Sequence, residues 1–235
     1  MDFKLRPARD LGLAPGERMR SLKRESGLFG TVTSGLWRRA TRLYLRLAHR
    51  LEVVGRENLP AAPPYVLIAN HSSHLDALTL AALPRGEAAR GVRALAAGDV
   101  FFGSGRTTAF AAYAINALPV WRGRMKRGDL ATLRQRLVED GLVYIIFPEG
   151  TRSRTGEMGE FQAGLAMLVG GTGVPVVPCH VSGAFEAWPA ARRFPRPGRV
   201  RVRIGPALDF SAVANDRAGG LSLAQACQKA VEDLR

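Results

Sequence analysis

Two short runs without a charged side chain, residues 65–69 (YVLIA) and 142–147 (LVYIIF), each pass without a spacer into a polar block. Runs this short and this apolar read as strands buried on both faces. Segments 92–97, 118–121, 174–179 and 200–204 read as further strands. Helical patterns fall between or after them, at 75–83, 107–114, 129–140, 161–169 and 221–234, with Asp129 taken as the cap of the helix at 129–140. Buried strands alternating with helices predict an α/β fold with a mostly parallel central sheet flanked by helices. In such a sheet, polar chemistry collects at the carboxyl ends of the strands. The polar blocks after residues 69 and 147 are therefore where function is expected.

Composition narrows the class. The chain has 235 residues, 46% of them hydrophobic, which is enough for a large core and excludes wholesale disorder. Two cysteines, Cys179 and Cys227, cannot build a disulfide framework, and their spacing does not suggest zinc. Residues 161–185 carry no formal charge, but Gly170, Gly171, Gly173, Pro175 and Pro178 break them into a helix, a turn and a strand. No membrane crossing is expected. The opening MDFKLRPARD lacks the apolar stretch of a secretory signal, which points to a cytoplasmic location.

The formal net charge of +14 is unevenly spread. Residues 1–50 hold 12 basic and 4 acidic side chains, and residues 192–203 hold six arginines and no acid. The remainder is balanced. Residues 1–25 read as a loose basic arm with room for one short helix. Over residues 28–51, helical spacing gathers Leu36, Trp37, Ala40, Leu43, Tyr44, Leu47 and Leu51 into one arc. Arg38, Arg39, Arg42, Arg46, His49 and Arg50 fall into another. A dense arginine stripe beside an apolar face predicts a helix lying on an anionic membrane surface. The expected organisation is an arm and amphipathic membrane-surface helix over 1–51, followed by a catalytic domain over 52–235.

The first polar block is Asn70-His71-Ser72-Ser73-His74-Leu75-Asp76. His71 would sit on the loop at the strand end, Ser72 or Ser73 would cap the next helix, and Asp76 would lie in its first turns. A carboxylate there can hold the imidazole in one tautomer while the other ring nitrogen accepts a proton. The second block is Phe147-Pro148-Glu149-Gly150-Thr151-Arg152-Ser153. A tight turn of this kind presents backbone N–H groups, and Thr151 and Arg152 add donors and charge suited to an anion. Arg122, after Pro119-Val120-Trp121, is a third strand-end candidate, with Arg124 and Lys126 nearby. His74 reads as a surface residue at the helix start. His71, His74 and Asp76 are too close in sequence to close a metal site without remote ligands, so no metal is expected.

Taken together, NHSSHLD (70–76), LPVWRGR (118–124), FPEGTRS (147–153) and VPVVPCHVSG (174–183) resemble the four ordered blocks of the glycerolipid acyltransferases typified by 1-acylglycerol-3-phosphate acyltransferase. The third block departs from that pattern nowhere; in the second, Trp121 stands where an aspartate is usual. The resemblance implies a glycerol-3-phosphate acyltransferase-like α/β domain. It makes His71 the general base, Asp76 its orienting partner, and Arg122, Glu149, Gly150, Thr151 and Arg152 the acceptor-phosphate site. The implied reaction is transfer of a fatty acyl group to a hydroxyl of 1-acyl-sn-glycerol 3-phosphate in phospholipid biosynthesis, with acyl-CoA or acyl carrier protein as donor and no cofactor. A GxSxG elbow for a covalent acyl-enzyme is absent from the sequence. Phe101, Phe102, Phe110 and Tyr113 are candidates for lining an acyl tunnel.

Alternative acceptors are glycerol 3-phosphate, a lyso-ornithine lipid or another lysolipid. A basic nucleic-acid-binding module is the alternative of a different class, and the balanced charge of the body speaks against it. The enzyme would sit peripherally on the inner face of the cell membrane, with a lysophospholipid and the anionic surface as partners.

Overall fold

A computed structural model describes residues 7–103, 105–121, 126–214 and 216–235. Seven strands form one sheet: β1 (Glu52–Val54), β2 (Tyr65–Ala69), β3 (Val92–Ala97), β4 (Leu118–Val120), β5 (Val143–Ile146), β6 (Val176–Ser182) and β7 (Arg201–Ile204), in the order β1-β7-β6-β2-β5-β3-β4. Strands β2 to β6 all run parallel. Strand β7 is antiparallel to β6, and β1 joins it in parallel at the edge. The mixed edge and the three-residue β1 are not visible in the hydropathy pattern, because a short partly exposed strand leaves no apolar run.

Central strand β2 is buried throughout and shows why the sheet needs cover on both sides. Tyr65, Leu67 and Ala69 enter one core, with Val143, Ile145 and Val177. Val66 and Ile68 enter the other, with Leu133, Leu137, Leu223 and Cys227. The alternation follows from the two-residue strand repeat. Helices α1 (Pro15–Arg20), α2 (Gly27–His49) and α3 (Leu75–Ala81) come before the next strands in the chain, and Leu45 of α2 and Leu75 and Leu80 of α3 enter the first core. The helices Arg127–Glu139 and Arg217–Glu232 cover the second.

Several local expectations change. Lys126, rather than Asp129, is the N-cap of the helix Arg127–Glu139; Asp129 is its third residue and accepts the Lys126 backbone N–H at 3.0 Å. Helix α2 stops at His49, where Arg50 turns into the left-handed region at φ 44°. Residues 7–25 are no loose arm. Arg24 is buried and donates to Ala117 O (2.6 Å) and Asn116 Oδ1 (3.2 Å), while Arg136 donates to Leu22 O and Arg20 to Phe102 O. Burial, and then the charge of Arg136, push the Arg24 guanidinium down to about 10. No helix among the described residues is long and apolar enough to cross a membrane.

Helix α2 splits the expected apolar arc: Trp37, Tyr44 and Leu51 are partly buried toward the protein, and Arg39, Arg46 and Arg50 of the basic arc are exposed. Leu36, Leu43 and Leu47 from the expected apolar arc are 58%, 58% and 74% exposed, whereas His49 from the basic arc is buried. Small or polar Gly30, Ser34 and Thr41, with Leu45, face the protein instead.

At the carboxyl end of β2, Asn70 extends the pairing with β6. Its side-chain amide donates to Val181 O (2.9 Å) and its carbonyl accepts Val181 N–H (2.8 Å), copying a backbone rung. Asn70→Ala should lower the unfolding free energy by about 2–4 kcal/mol in urea titration, because both buried Val181 groups lose their partner.

Candidate active site

The two polar blocks lie side by side because β2 and β5 are parallel neighbours that end together, Ile68 opposite Ile146. They are cross-linked at once. The His71 backbone N–H donates to Glu149 Oε1 at 2.6 Å, and Ser153 N–H donates to His71 O at 2.7 Å. The second oxygen of Glu149 accepts Gly159 N–H at 2.9 Å. Both carboxylate oxygens of Glu149 are thus engaged by backbone, and the residue braces two loops. Burial raises its carboxyl above the usual range, and the Gly159 and His71 amides work against that rise.

Asp76, in the first turn of α3, is fully buried. One of its oxygens, Oδ2, accepts His71 Nδ1–H at 2.9 Å and the backbone N–H groups of Ser72 and Ser73 at 2.7 Å each. His74, and neither Ser72 nor Ser73, is the N-cap of α3, and its side chain makes no cap bond; Ser73 instead ties the preceding loop, its Oγ accepting Leu75 N–H at 3.1 Å and donating to Trp188 O at 2.8 Å. His71 also stacks on Phe147, with ring centroids 3.9 Å apart and planes 16° from parallel. With Nδ1–H committed to Asp76, Nε2 is the nitrogen able to accept a proton. The His71 side chain lines a cavity of about 1310 Å³.

That cavity is bordered by α2, α3, the sheet, the helix Arg127–Glu139 and residues 162–168, and is walled chiefly by apolar groups such as Trp37, Tyr44, Leu78, Phe101, Phe110 and Leu168. It exceeds the ordinary range of small-ligand pockets, about 300–1,000 Å³, and suits a long apolar chain. Phe101 and Phe110 are the two tunnel candidates found in its wall. Phe102 belongs to the buried core, and Tyr113 packs edge-on against Phe29 at 5.5 Å.

Gly150, Thr151 and Arg152 also border this space, Gly150 with the left-handed φ of 72° that closes its turn. A guanidinium N–H of Arg152 donates to His74 Nδ1 at 2.7 Å. His74 is therefore part of the site and not a plain surface residue: it lines the cavity and tilts against Trp188 at 4.9 Å. Burial and the Arg152 charge lower its pKa. Arg127 is another basic cavity residue that strand-end reasoning does not reach, since it opens a helix. Trp188 carries no motif signal; it arrives through the pairing of Ser73 with Pro189. Arg122 and Arg124 lie outside the described residues. Among the described residues, no cluster of three His, Cys, Asp or Glu side chains is arranged to hold a metal.

Comparison with known proteins agrees with this geometry. A family model described as Acyltransferase matches residues 50–182, more than half of the chain. The 1-acyl-sn-glycerol-3-phosphate acyltransferase of Pseudomonas aeruginosa is 32% identical over 164 residues, covering 68% of this chain and 59% of that protein. The 1-acyl-sn-glycerol-3-phosphate acyltransferase alpha of Mus musculus is 30% identical over 173 residues, covering 71% and 58% respectively. This chain thus spans less than two thirds of the length of these curated relatives. In fold it is similar to the crystal structure of the 1-acyl-sn-glycerophosphate (LPA) acyltransferase PlsC from Thermotoga maritima, with a TM-score of 0.64 at 24% identity over 87% of this chain and 79% of that one. A buried carboxylate orienting a histidine at the mouth of an apolar cavity, on a sheet of this topology and with a family match across it, makes the chain a member of the acyltransferase family.

Proposed function

We propose that this chain transfers a fatty acyl group from acyl-CoA or acyl carrier protein to the free hydroxyl of 1-acyl-sn-glycerol 3-phosphate. The observation that carries the reading is the His71–Asp76 pair, 2.9 Å apart, on the wall of the 1310 Å³ apolar cavity. The names of the curated relatives point to the same acceptor.

In this mechanism the acyl chain of the thioester occupies the apolar cavity and its carbonyl lies beside His71. Nε2 of His71 removes the hydroxyl proton as the oxygen attacks the carbonyl carbon, and Asp76 steadies the resulting imidazolium. The tetrahedral intermediate then collapses with cleavage of the C–S bond. The leaving thiolate takes the proton from His71, which restores the base. Atoms balance without a covalent enzyme intermediate. Arg152 and Thr151 face the acceptor phosphate, and Arg127 supplies a further positive charge at the cavity rim. Glu149 acts as a positioning residue that holds the His71 loop.

The membrane surface fits the outward face of α2. Phe29, Val32, Leu36, Leu43 and Leu47 form an exposed apolar ridge, and exposed Arg39, Arg46 and Arg50 flank it. Phe194, exposed beside Arg193, adds a second apolar point on the loop that brings Pro195 to the cavity. Such a surface inserts side chains at headgroup depth while arginines meet anionic lipid.

The deciding experiment incubates the full chain with acyl-CoA or acyl carrier protein thioesters and a panel of acceptors, with products read by mass spectrometry. Phosphatidate from 1-acyl-sn-glycerol 3-phosphate is expected to dominate. Turnover of glycerol 3-phosphate or a lyso-ornithine lipid tenfold faster would assign a different acceptor. His71→Ala and Asp76→Asn should each lower kcat by about 10²- to 10⁴-fold, the usual reach of general-base catalysis. Thermal melting would verify that both variants fold. Arg152→Ala should raise KM for the lysophospholipid by about tenfold or more with a smaller effect on kcat, as expected for loss of a charge-assisted phosphate contact. Replacing Leu36, Leu43 and Leu47 by Glu should release the protein from phosphatidylglycerol vesicles in flotation; retained binding would remove α2 from the membrane contact.

A further inference from the structure

On the other flank of α2 from the acyl cavity lies a second cavity of about 430 Å³. Four arginines line it: Arg42 and Arg46 from α2, Arg56 after β1, and Arg85 after α3. Its apolar wall includes Leu51 and Val53, and it shares no lining residue with the larger cavity. Asp76 and this cavity lie toward opposite ends of α3, whose seven residues span about 10 Å.

Two of the guanidiniums are fixed in place. Arg42 donates through Nε to Ala82 O at 2.9 Å and through Nη2 to Pro84 O, and Arg56 donates through Nη1 to Leu83 O at 2.9 Å. These bonds use neutral carbonyls and leave further N–H donors on each five-donor group. Arg46 and Arg85 make no side-chain hydrogen bond with a described residue, and none of the four forms an ion pair with a described carboxylate. Burial and the surrounding guanidiniums push Arg42 and Arg56 below the ordinary arginine value. Arg42 and Arg56 are partly buried and Arg46 and Arg85 exposed, so four like charges gather on one cavity without a counter-charge among the described residues, and a bound anion would relieve their mutual repulsion.

We propose that this four-arginine cavity is a second anion site, separate from the acyl-transfer site, which takes a phosphomonoester dianion or a pair of linked phosphates. Its volume falls in the range of small-ligand pockets, larger than a single ion requires. Guanidinium forks match phosphate oxygens two at a time, and four of them match a charge of about −2 to −4. Arg46 lies one helical turn from Leu43 and beside Leu47, so the cavity borders the exposed apolar ridge of α2. A lipid headgroup and a soluble phosphate compound share this chemistry. The inference does not depend on the acyl-transfer reading.

The test uses the full chain, wild type and Arg46→Gln/Arg85→Gln, a pair of changes that breaks no hydrogen bond to a described residue. Binding is measured calorimetrically with inorganic pyrophosphate and with adenosine 3′,5′-bisphosphate, and by flotation with phosphatidylcholine vesicles carrying phosphatidate or, at matched charge, phosphatidylglycerol. The wild type should bind at least one phosphate probe saturably, and the double variant about tenfold or more weakly. Arg152→Ala should bind that probe as the wild type does, which separates this cavity from the acyl-transfer site. Binding of the soluble probes assigns a soluble phosphate compound; a preference for phosphatidate vesicles without soluble binding assigns a lipid headgroup. The proposal is overturned if no probe binds saturably, or if the double variant binds as tightly as the wild type. Equal loss of phosphatidate and phosphatidylglycerol binding, with no soluble binding, also overturns it, because general charge attraction then suffices.

Discussion

One oxygen of a buried carboxylate organises the whole catalytic end of this protein. Asp76 Oδ2 gathers the imidazole N–H of His71 and two consecutive backbone N–H groups, from Ser72 and Ser73. A carboxylate removed from water is costly unless hydrogen bonds replace its hydration; these three donors do so for Oδ2, while Oδ1 is buried without a partner among the described residues. The same contacts set the entry of α3, the path of the loop leaving β2 and the tautomer of His71. Glu149 completes the arrangement from the neighbouring strand by fixing the His71 backbone, so the two polar blocks form one rigid unit.

The sheet places that unit, and the helices give it a purpose. Parallel strands β2 and β5 end at the same level, which brings blocks separated by about eighty residues into hydrogen-bond contact. The covering helices α2 and α3 leave a long apolar space instead of a filled core. Small residues in β3, such as Ala94 and Ala96, line that space where larger side chains would occupy it. Charge follows a related division. The buried arginines Arg24 and Arg136 tie the N-terminal residues to the domain, the exposed ones on α2 flank an apolar ridge, and four, Arg46 among them again, surround a separate cavity. A net charge that reads as one property of the chain is spent on three physical tasks.

Much of this was legible in the residues. Runs such as YVLIA and LVYIIF are buried strands for a reason that is local, since their side chains have nowhere else to go. The spacing of His71 and Asp76 likewise predicts their contact, because a loop and one helical turn separate them. Glu149 was legible as a member of the site but not as a brace, for its partners are backbone amides that no sequence motif displays. His74 and Trp188 were illegible as a pair: they meet through the return of the chain after β6, 114 positions apart and 4.9 Å between rings. Helix α2 shows the same limit in another form. Its two arcs follow from the helical repeat, but which residues of each arc face the protein depends on the shape of the surface beneath it.

The sequence by itself determined every strand but the short β1, the composition of the two polar blocks and the family of chemistry they suit, because strand burial and helical spacing are short-range properties. Only the tertiary structure decided that Glu149 holds the loop, that α2 turns Leu36, Leu43 and Leu47 outward, and that Arg42, Arg46, Arg56 and Arg85 converge on one cavity. Those outcomes join segments distant in the chain, and the forces that settle them, packing and unscreened charge, exist only once the segments meet.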